Sequence, residues 1–107
     1  MTAHVVANRY VLTYEPEGRP TGVLTGYDDE GGGFGLEHVI AFPEAPAGTL
    51  LALVRLGLEE AWRRDFQYVT LGLREGGAPG LARLAQRMGF TQYASCGPLD
   101  FYVSHRP

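Results

Sequence analysis

Glu37 and His38 are neighbours in the run Phe34-Gly35-Leu36-Glu37-His38-Val39-Ile40-Ala41-Phe42, and they are the chain's foremost candidates for moving a proton. Successive strand residues point to opposite faces, so a regular strand aims only one of the two at any given cleft. Either side chain is equally an ordinary solvent-facing strand residue, and one carboxylate in one sequence does not separate the readings. Further on, Ala47-Gly48-Thr49 precedes Leu50-Leu51. Amides and a hydroxyl there suit a phosphate, but the same groups cap a helix. Tyr93 and Tyr102 carry phenols that can donate a proton, or can pack across strands. Cys96 is the one cysteine; a nucleophilic role needs a depressed pKa and a nearby base, and the sequence displays neither. Asp28-Asp29-Glu30 can attract a cationic amine or simply solvate a loop. His4, His38 and His105 have no metal-ligand spacing.

Composition narrows the classes. At 107 residues the chain is expected to be one domain, residues 1–107, with a modest core. A net charge of −3 argues against nucleic acid as a partner. All nine basic residues are Arg, which rules out a Lys nucleophile or Schiff base. A single cysteine permits no intramolecular disulfide. The first residues, Met1-Thr2-Ala3-His4, lack the basic and apolar regions of a signal peptide. No apolar run is long enough to span a bilayer, so the expected location is the cytoplasm, away from membranes.

The elements that must position these groups follow from periodicity. Tyr10 to Tyr14 and Gly22 to Tyr27 read as strands, separated by the Pro/Gly turn Glu15–Pro20. After the loop Asp28–Gly33, a third strand runs from about Phe34 to Phe42, giving an antiparallel meander of three. Leu50, Leu51, Val54, Leu58, Ala61 and Trp62 recur at helical spacing, which predicts a helix over about 48–65. Glu59–Arg63 and Glu60–Arg64 are favourable i,i+4 pairs on it. Tyr68–Leu73 is a buried strand, and the helix between it and the third strand implies a crossover. Arg74–Gly80 is a loop. Leu81, Leu84, Ala85 and Met88 predict a second helix closed by Gly89. Thr91–Ser95 and Leu99–Val103 are the last strands.

This order, with Leu81-Ala82-Arg83-Leu84-Ala85-Gln86-Arg87-Met88-Gly89-Phe90 ending in Gly-Phe, resembles the GNAT superfamily of N-acyltransferases over about Arg19 to Val103. The resemblance implies an α+β fold with a mixed, mostly antiparallel sheet and two main helices. It further implies that the family's first strand and first two helices are missing. Acetyl-CoA would be the acyl donor. Its pantetheine arm would lie along Val39, Ile40 and Ala41, and its pyrophosphate at the amides of Ala47, Gly48 and Thr49. Glu37, or else His38, would be the base that deprotonates the acceptor amine.

The sequence also departs from the family. The pyrophosphate loop has only Ala47-Gly48-Thr49 of the usual glycine-rich motif, and Glu44 beside it repels phosphate. The family's last helix commonly has an acidic Tyr where Ala85 stands, and an Asn where Ala78 stands. Two functions remain open on this basis: acetyl transfer to a small-molecule or peptide amine, or a non-catalytic GNAT-like module that dimerises or binds a partner. A homodimer is expected in either case, through edges and an uncovered face near Tyr10–Tyr14 and Phe101–Val103.

Overall fold

The computed structural model describes residues 2–75 and 80–107. Four strands come first: β1 (Thr2–Val6), β2 (Arg9–Tyr14), β3 (Gly22–Asp28) and β4 (Gly33–Ala41). They are followed by helix α1 (Thr49–Arg63), β5 (Tyr68–Arg74), helix α2 (Leu81–Arg87), β6 (Thr91–Cys96) and β7 (Leu99–His105). All seven strands form one sheet in the order β1-β2-β3-β4-β5-β7-β6. Only β4 and β5 run parallel, joined through α1, and every other pair is antiparallel. The mixed α+β sheet with two helices is the expected architecture.

The N-terminus differs from expectation. A strand, β1, lies at the sheet edge beside β2, so the first strand is not missing. Helices are what is absent between these strands, because Ala7 and Asn8 alone connect them. Ala7 turns the corner with φ of 55°, a conformation that Gly or Asn usually supplies. The expected edges shift with this change. Tyr10–Tyr14 and Phe101–Val103 lie on interior strands, and the edges are β1 and β6.

Both helices pack on one face of the sheet. Leu53, Val54, Leu58 and Ala61 of α1 join Leu12, Leu24, Phe34, Leu36 and Val69 in the core, and Ala85 of α2 joins the same cluster beside Phe90 and Tyr102. The opposite face carries Val11, Val23, Thr25, Tyr27, Phe101 and Val103 by strand alternation. Among the described residues no helix covers it.

The helix ends are well specified. After α1, the amide of Phe66 bonds to the carbonyl of Ala61 and that of Asp65 to Trp62. After α2, Phe90 bonds to Ala85 and Gly89 to Gln86. This is the same closing motif twice, each with Phe returning to an Ala of the last turn. The chain takes φ of 95° at Gly89 and 65° at Asp65 to make it. Arg106 adds a guanidinium to the exposed end of α1, donating to the carbonyls of Trp62 and Phe66. On the helix body, Glu60 is buried and gathers both Arg63 and Arg64. Arg63 therefore turns to Glu60 rather than to its expected partner Glu59.

Candidate active site

The parallel pairing of β4 with β5 is short. It runs from Gly33↔Tyr68 to Leu36↔Leu71 and stops. Beyond that point β5 continues against β7 as far as Arg74↔Leu99, while β4 runs on to Ala41 against β3. The two strands thus part at Leu36 and Leu71. From Glu37 onward the side of β4 that faced β5 has no strand partner. A buried sheet rarely leaves backbone donors and acceptors unpaired, so the opening is a place for a ligand to complete the ladder.

A β-bulge sits at the point of parting. Thr25 of β3 pairs with His38 and Gly26 with Leu36, which leaves Glu37 as the extra residue on β4. A bulge bends its strand and increases the local twist. It also breaks the alternation of faces. Leu36 and Val39 both pair toward the helix side of the sheet, with Gly26 and Leu24 opposite them. Glu37 and His38 both fall on the helix-free face. The expectation that only one of them can face the cleft is therefore corrected. Both contribute to its wall.

The cleft holds about 500 Å³. Val39 and Ile40 line one side, Gly72, Leu73 and Arg74 the other, and α1 and α2 close the back with Leu50, Val54, Leu81 and Leu84. Its surface is mainly apolar, the usual character of a small-molecule site, and it carries the charged groups Glu37, Arg74, Glu75 and Asp100. The sequence assigned these leucines to buried stripes. They are broader stripes than the core needs, and their half-buried members form the cleft.

Glu37 is held by an ion pair with Arg9 of β2. Arg9 in turn lies over the ring of Tyr27, 5.4 Å from its centroid. The hydrogen bond and charge of Glu37 push the Arg9 guanidinium pKa up. His38 places Nδ1 2.9 Å from the hydroxyl oxygen of Thr25. Sequence reasoning missed Arg9 and Thr25, because only the strand register brings them across from residues more than ten positions away.

The start of α1 differs from the expectation for Thr49. Gly48, with φ of 86°, is the N-cap, and no side chain caps the helix. Thr49 is buried, and its hydroxyl donates to the carbonyl of Pro46 at 2.7 Å. Its amide bonds to the same carbonyl. The Thr49 hydroxyl is thus not free for an anion. The amides of Leu50 and Leu51 belong to the first turn, which has no intrahelical acceptors for them. Leu50 lines the cleft, whereas Ala41, Ala47, Gly48 and Thr49 do not.

The remaining candidates separate cleanly. Asp29 accepts the amides of Gly31 and Gly33 and the Tyr68 hydroxyl, so it fixes the β3–β4 turn to the start of β5. Burial pushes its pKa up, but those three hydrogen bonds outweigh burial and hold it below the usual range. Tyr93 is exposed and lies near Phe101, with ring centroids 6.3 Å apart. Tyr102 is buried and reaches the cleft. Ala85 lines the cleft where the family resemblance places a Tyr. Ala78 lies outside the described residues. Cys96 is exposed at the end of β6, away from the cleft. Among the described residues no group of His, Cys, Asp and Glu is arranged to hold a metal ion.

No protein-family model matches the chain, and no curated protein does. Solved structures match it closely in shape. An acetyltransferase from Bacillus subtilis in complex with CoA superposes with a TM-score of 0.82 at 12% identity, over 94% of this chain and 78% of that one. An IAA acetyltransferase from Bacillus cereus gives 0.79 at 13%, over 92% and 79%. A GNAT family acetyltransferase from Elizabethkingia anophelis with acetyl-CoA bound gives 0.74 at 12%, over 92% and 75%. The chain has the GNAT fold. At these identities the likeness is one of backbone. In this GNAT-fold chain the strand that parts from its neighbour is β4, and the helix that starts beside the opening is α1. Among the described residues no helix is long and apolar enough to cross a membrane.

Proposed function

We propose that the chain is an acyl-CoA-dependent N-acyltransferase that moves an acetyl group from acetyl-CoA to an amine. The observation that carries this reading is the parting of β4 from β5, with Glu37 at the apex. The free edge of β4 offers backbone partners to the amides of a pantetheine arm along Val39 and Ile40. The aliphatic cleft excludes water from the thioester. Amides in the first turn of α1 offer the pyrophosphate the positive end of a helix dipole.

The amine comes from the helix-free face, where Glu37 and His38 stand. Glu37, released from Arg9, accepts the proton of the ammonium, and the free amine attacks the thioester carbon. A backbone amide on the free edge of β4 stabilises the tetrahedral oxyanion. The carbon–sulfur bond then breaks, the nitrogen gives up its second proton, and the sulfur takes one up from solvent, so that CoA leaves as the thiol and one proton is released overall. A cytoplasmic location, where acetyl-CoA is at hand, belongs to this reading.

Calorimetric titration with acetyl-CoA is the first test. Saturable heat at one site per chain is expected, and loss of that heat when a bulky side chain fills the cleft, as in Leu84→Trp. No heat from acetyl-CoA in the folded chain overturns the proposal.

A second reading has its own support. The uncovered sheet face, the short phosphate loop and Glu44 favour a GNAT-like module that dimerises or binds a partner without catalysis. It predicts self-association or partner capture that is indifferent to Glu37→Gln.

A further inference from the structure

Glu37 is not free to act as a base while Arg9 holds it. Register places the pair. Arg9, Tyr27, Gly35 and Thr70 lie in one line across β2, β3, β4 and β5, on the helix-free face. Glu37 follows Gly35 by two residues on β4. A Cβ at Gly35 would collide with the Tyr27 ring, so the missing side chain is what lets that ring lie across β4. The ring carries the Arg9 guanidinium 5.4 Å from its centroid, and Glu37 engages one end of the guanidinium. The cleft reaches Glu37 but not Arg9. Glu37 thus stands between the place of the thioester and a cation outside the cleft.

The two charges differ in access. Side-chain exposure is 58% for Arg9 and 29% for Glu37. An ion pair this exposed adds little stability, so the fold does not depend on its staying closed. Opening it with a simple amine nevertheless has a cost. The ammonium takes Glu37, and Arg9 loses its carboxylate yet keeps its charge, because a guanidinium does not deprotonate. An acceptor with its own carboxylate exchanges both partners at once. Its ammonium meets Glu37, and its carboxylate meets Arg9 in the planar two-pronged fit that a guanidinium favours. The charge count is unchanged. Glu37 and Arg9 are in direct contact, so the ammonium and carboxylate of the acceptor must be neighbours too. On an α-amino acid they share one carbon.

We propose that the acceptor is a free α-amino acid and that Arg9 is the residue that selects it. The inference rests on the acyl-transfer reading above and names its substrate class. Arg9 holds the carboxylate while Glu37 takes one ammonium proton. The nitrogen attacks the thioester carbon and loses its second proton. The electron pair of the carbon–sulfur bond goes to sulfur, which takes up a proton. The products are an N-acetylamino acid, the CoA thiol and one released proton. The new amide nitrogen carries no charge, so Glu37, having lost its cation, closes again on Arg9 and displaces the product carboxylate.

The test measures thiol release from acetyl-CoA with the proteinogenic amino acids other than cysteine, each against its own carboxamide. The amide has the less basic amine, so more of it is free at neutral pH and ordinary reactivity favours it. A preference for the acid must therefore come from the site. For the best acid, kcat/KM should exceed that of its amide by about 10- to 100-fold, mostly through KM. Arg9→Gln should erase that ratio, and Arg9→Lys should restore part of it. A direct readout accompanies the kinetics. In the ¹⁵N-labelled chain with CoA added, the acid should shift the Arg9 Nε–H resonance and the amide should not. Arg74 is the competing cation, since it lines the cleft from β5. A ratio that ignores Arg9→Gln, or that disappears in Arg74→Gln instead, overturns the inference. Thiol release by the wild type with amides or hydroxylamine but with no preference for acids overturns it as well, leaving the acyl-transfer reading intact. No thiol release with acids, amides or hydroxylamine sinks that reading and this inference together.

Discussion

At the scale of single residues, the chemistry of the site turns on Glu37. Its carboxylate is the extra residue of the bulge and is paired with Arg9. If it is the base, Glu37→Gln keeps the shape and removes the proton acceptor. The acetyl-transfer rate should then fall 10²-fold or so at neutral pH. It should recover in part at high pH, where the amine is already neutral. An unchanged pH–rate profile excludes Glu37. Glu44 carries a separate expectation. It lies in the exposed turn between β4 and α1, close to the amides that would meet pyrophosphate. A like charge there repels phosphate, so CoA affinity should be poor and should improve in Glu44→Gln, as calorimetry would read directly. Tight binding that ignores the change refutes the role given to that loop. The sequence pointed to Glu37, His38 and Glu44 by type and neighbourhood alone. It could not display Arg9 or Thr25, whose contacts exist only once β2, β3 and β4 are in register.

At the scale of elements, the helices were legible and the irregular strands were not. The 3.6-residue stripe of α1 and the Gly-Phe ending of α2 are local signals, and both helices fall where periodicity puts them. The first strand was hidden because Ala7-Asn8 has no glycine to announce a two-residue turn. The bulge was hidden because Glu37-His38 alternates in sequence like any strand, and only pairing with β3 reveals the extra residue. Thr49 misled because the Thr that looks like a cap lies one residue inside the helix, with Gly48 as the cap. Two measurements bear on this scale. Gly89 ends α2 in the left-handed region, where a side chain costs about 1–2 kcal/mol; Gly89→Ala should lower the urea midpoint accordingly. Glu60 binds α1 to itself through Arg63 and Arg64. Burial pushes its pKa up, but the hydrogen bonds and charges of the two arginines outweigh burial and hold it below the usual carboxylate range. A carboxyl held lower in the folded chain than in the unfolded chain adds stability above its unfolded pKa. That contribution disappears as pH falls through the folded value. Stability should therefore drop as pH falls below the ordinary carboxylate range, and drop less in Glu60→Gln. Parallel acid branches for the two proteins would remove Glu60 from the account.

At the scale of the whole molecule, the question is what covers the helix-free face. Antiparallel sheets tolerate water on one side, whereas parallel pairs are normally buried on both. Here the parallel pair β4–β5 sits mid-sheet, with α1 and α2 on one side only. The other side offers Val11, Val23, Phe101 and Val103 together with Thr, Tyr and His, and Arg9 and Glu37 there neutralise each other. Seven strands spaced about 4.8 Å apart and some 20 Å long present roughly 600 Å² in plan. That is the scale of the roughly 800 Å² each partner contributes to an ordinary stable interface. We propose that a second copy of the chain covers this face, two-fold related, since such dimers are the commonest closed assembly. The base side of the opening lies on the same face, so the partner would also wall the approach of the amine. Light scattering over a micromolar series should give a dimer mass. Val11→Lys, on the face but outside the cleft, should shift it toward monomer without lowering the urea midpoint extrapolated to low protein concentration. A monomer mass that persists as concentration rises removes the second copy as the cover. It would leave the Glu37 and His38 side of the cleft open to solvent, and an approach without an outer wall selects for an amine carried on a large, complementary partner rather than for a small molecule needing walls around it.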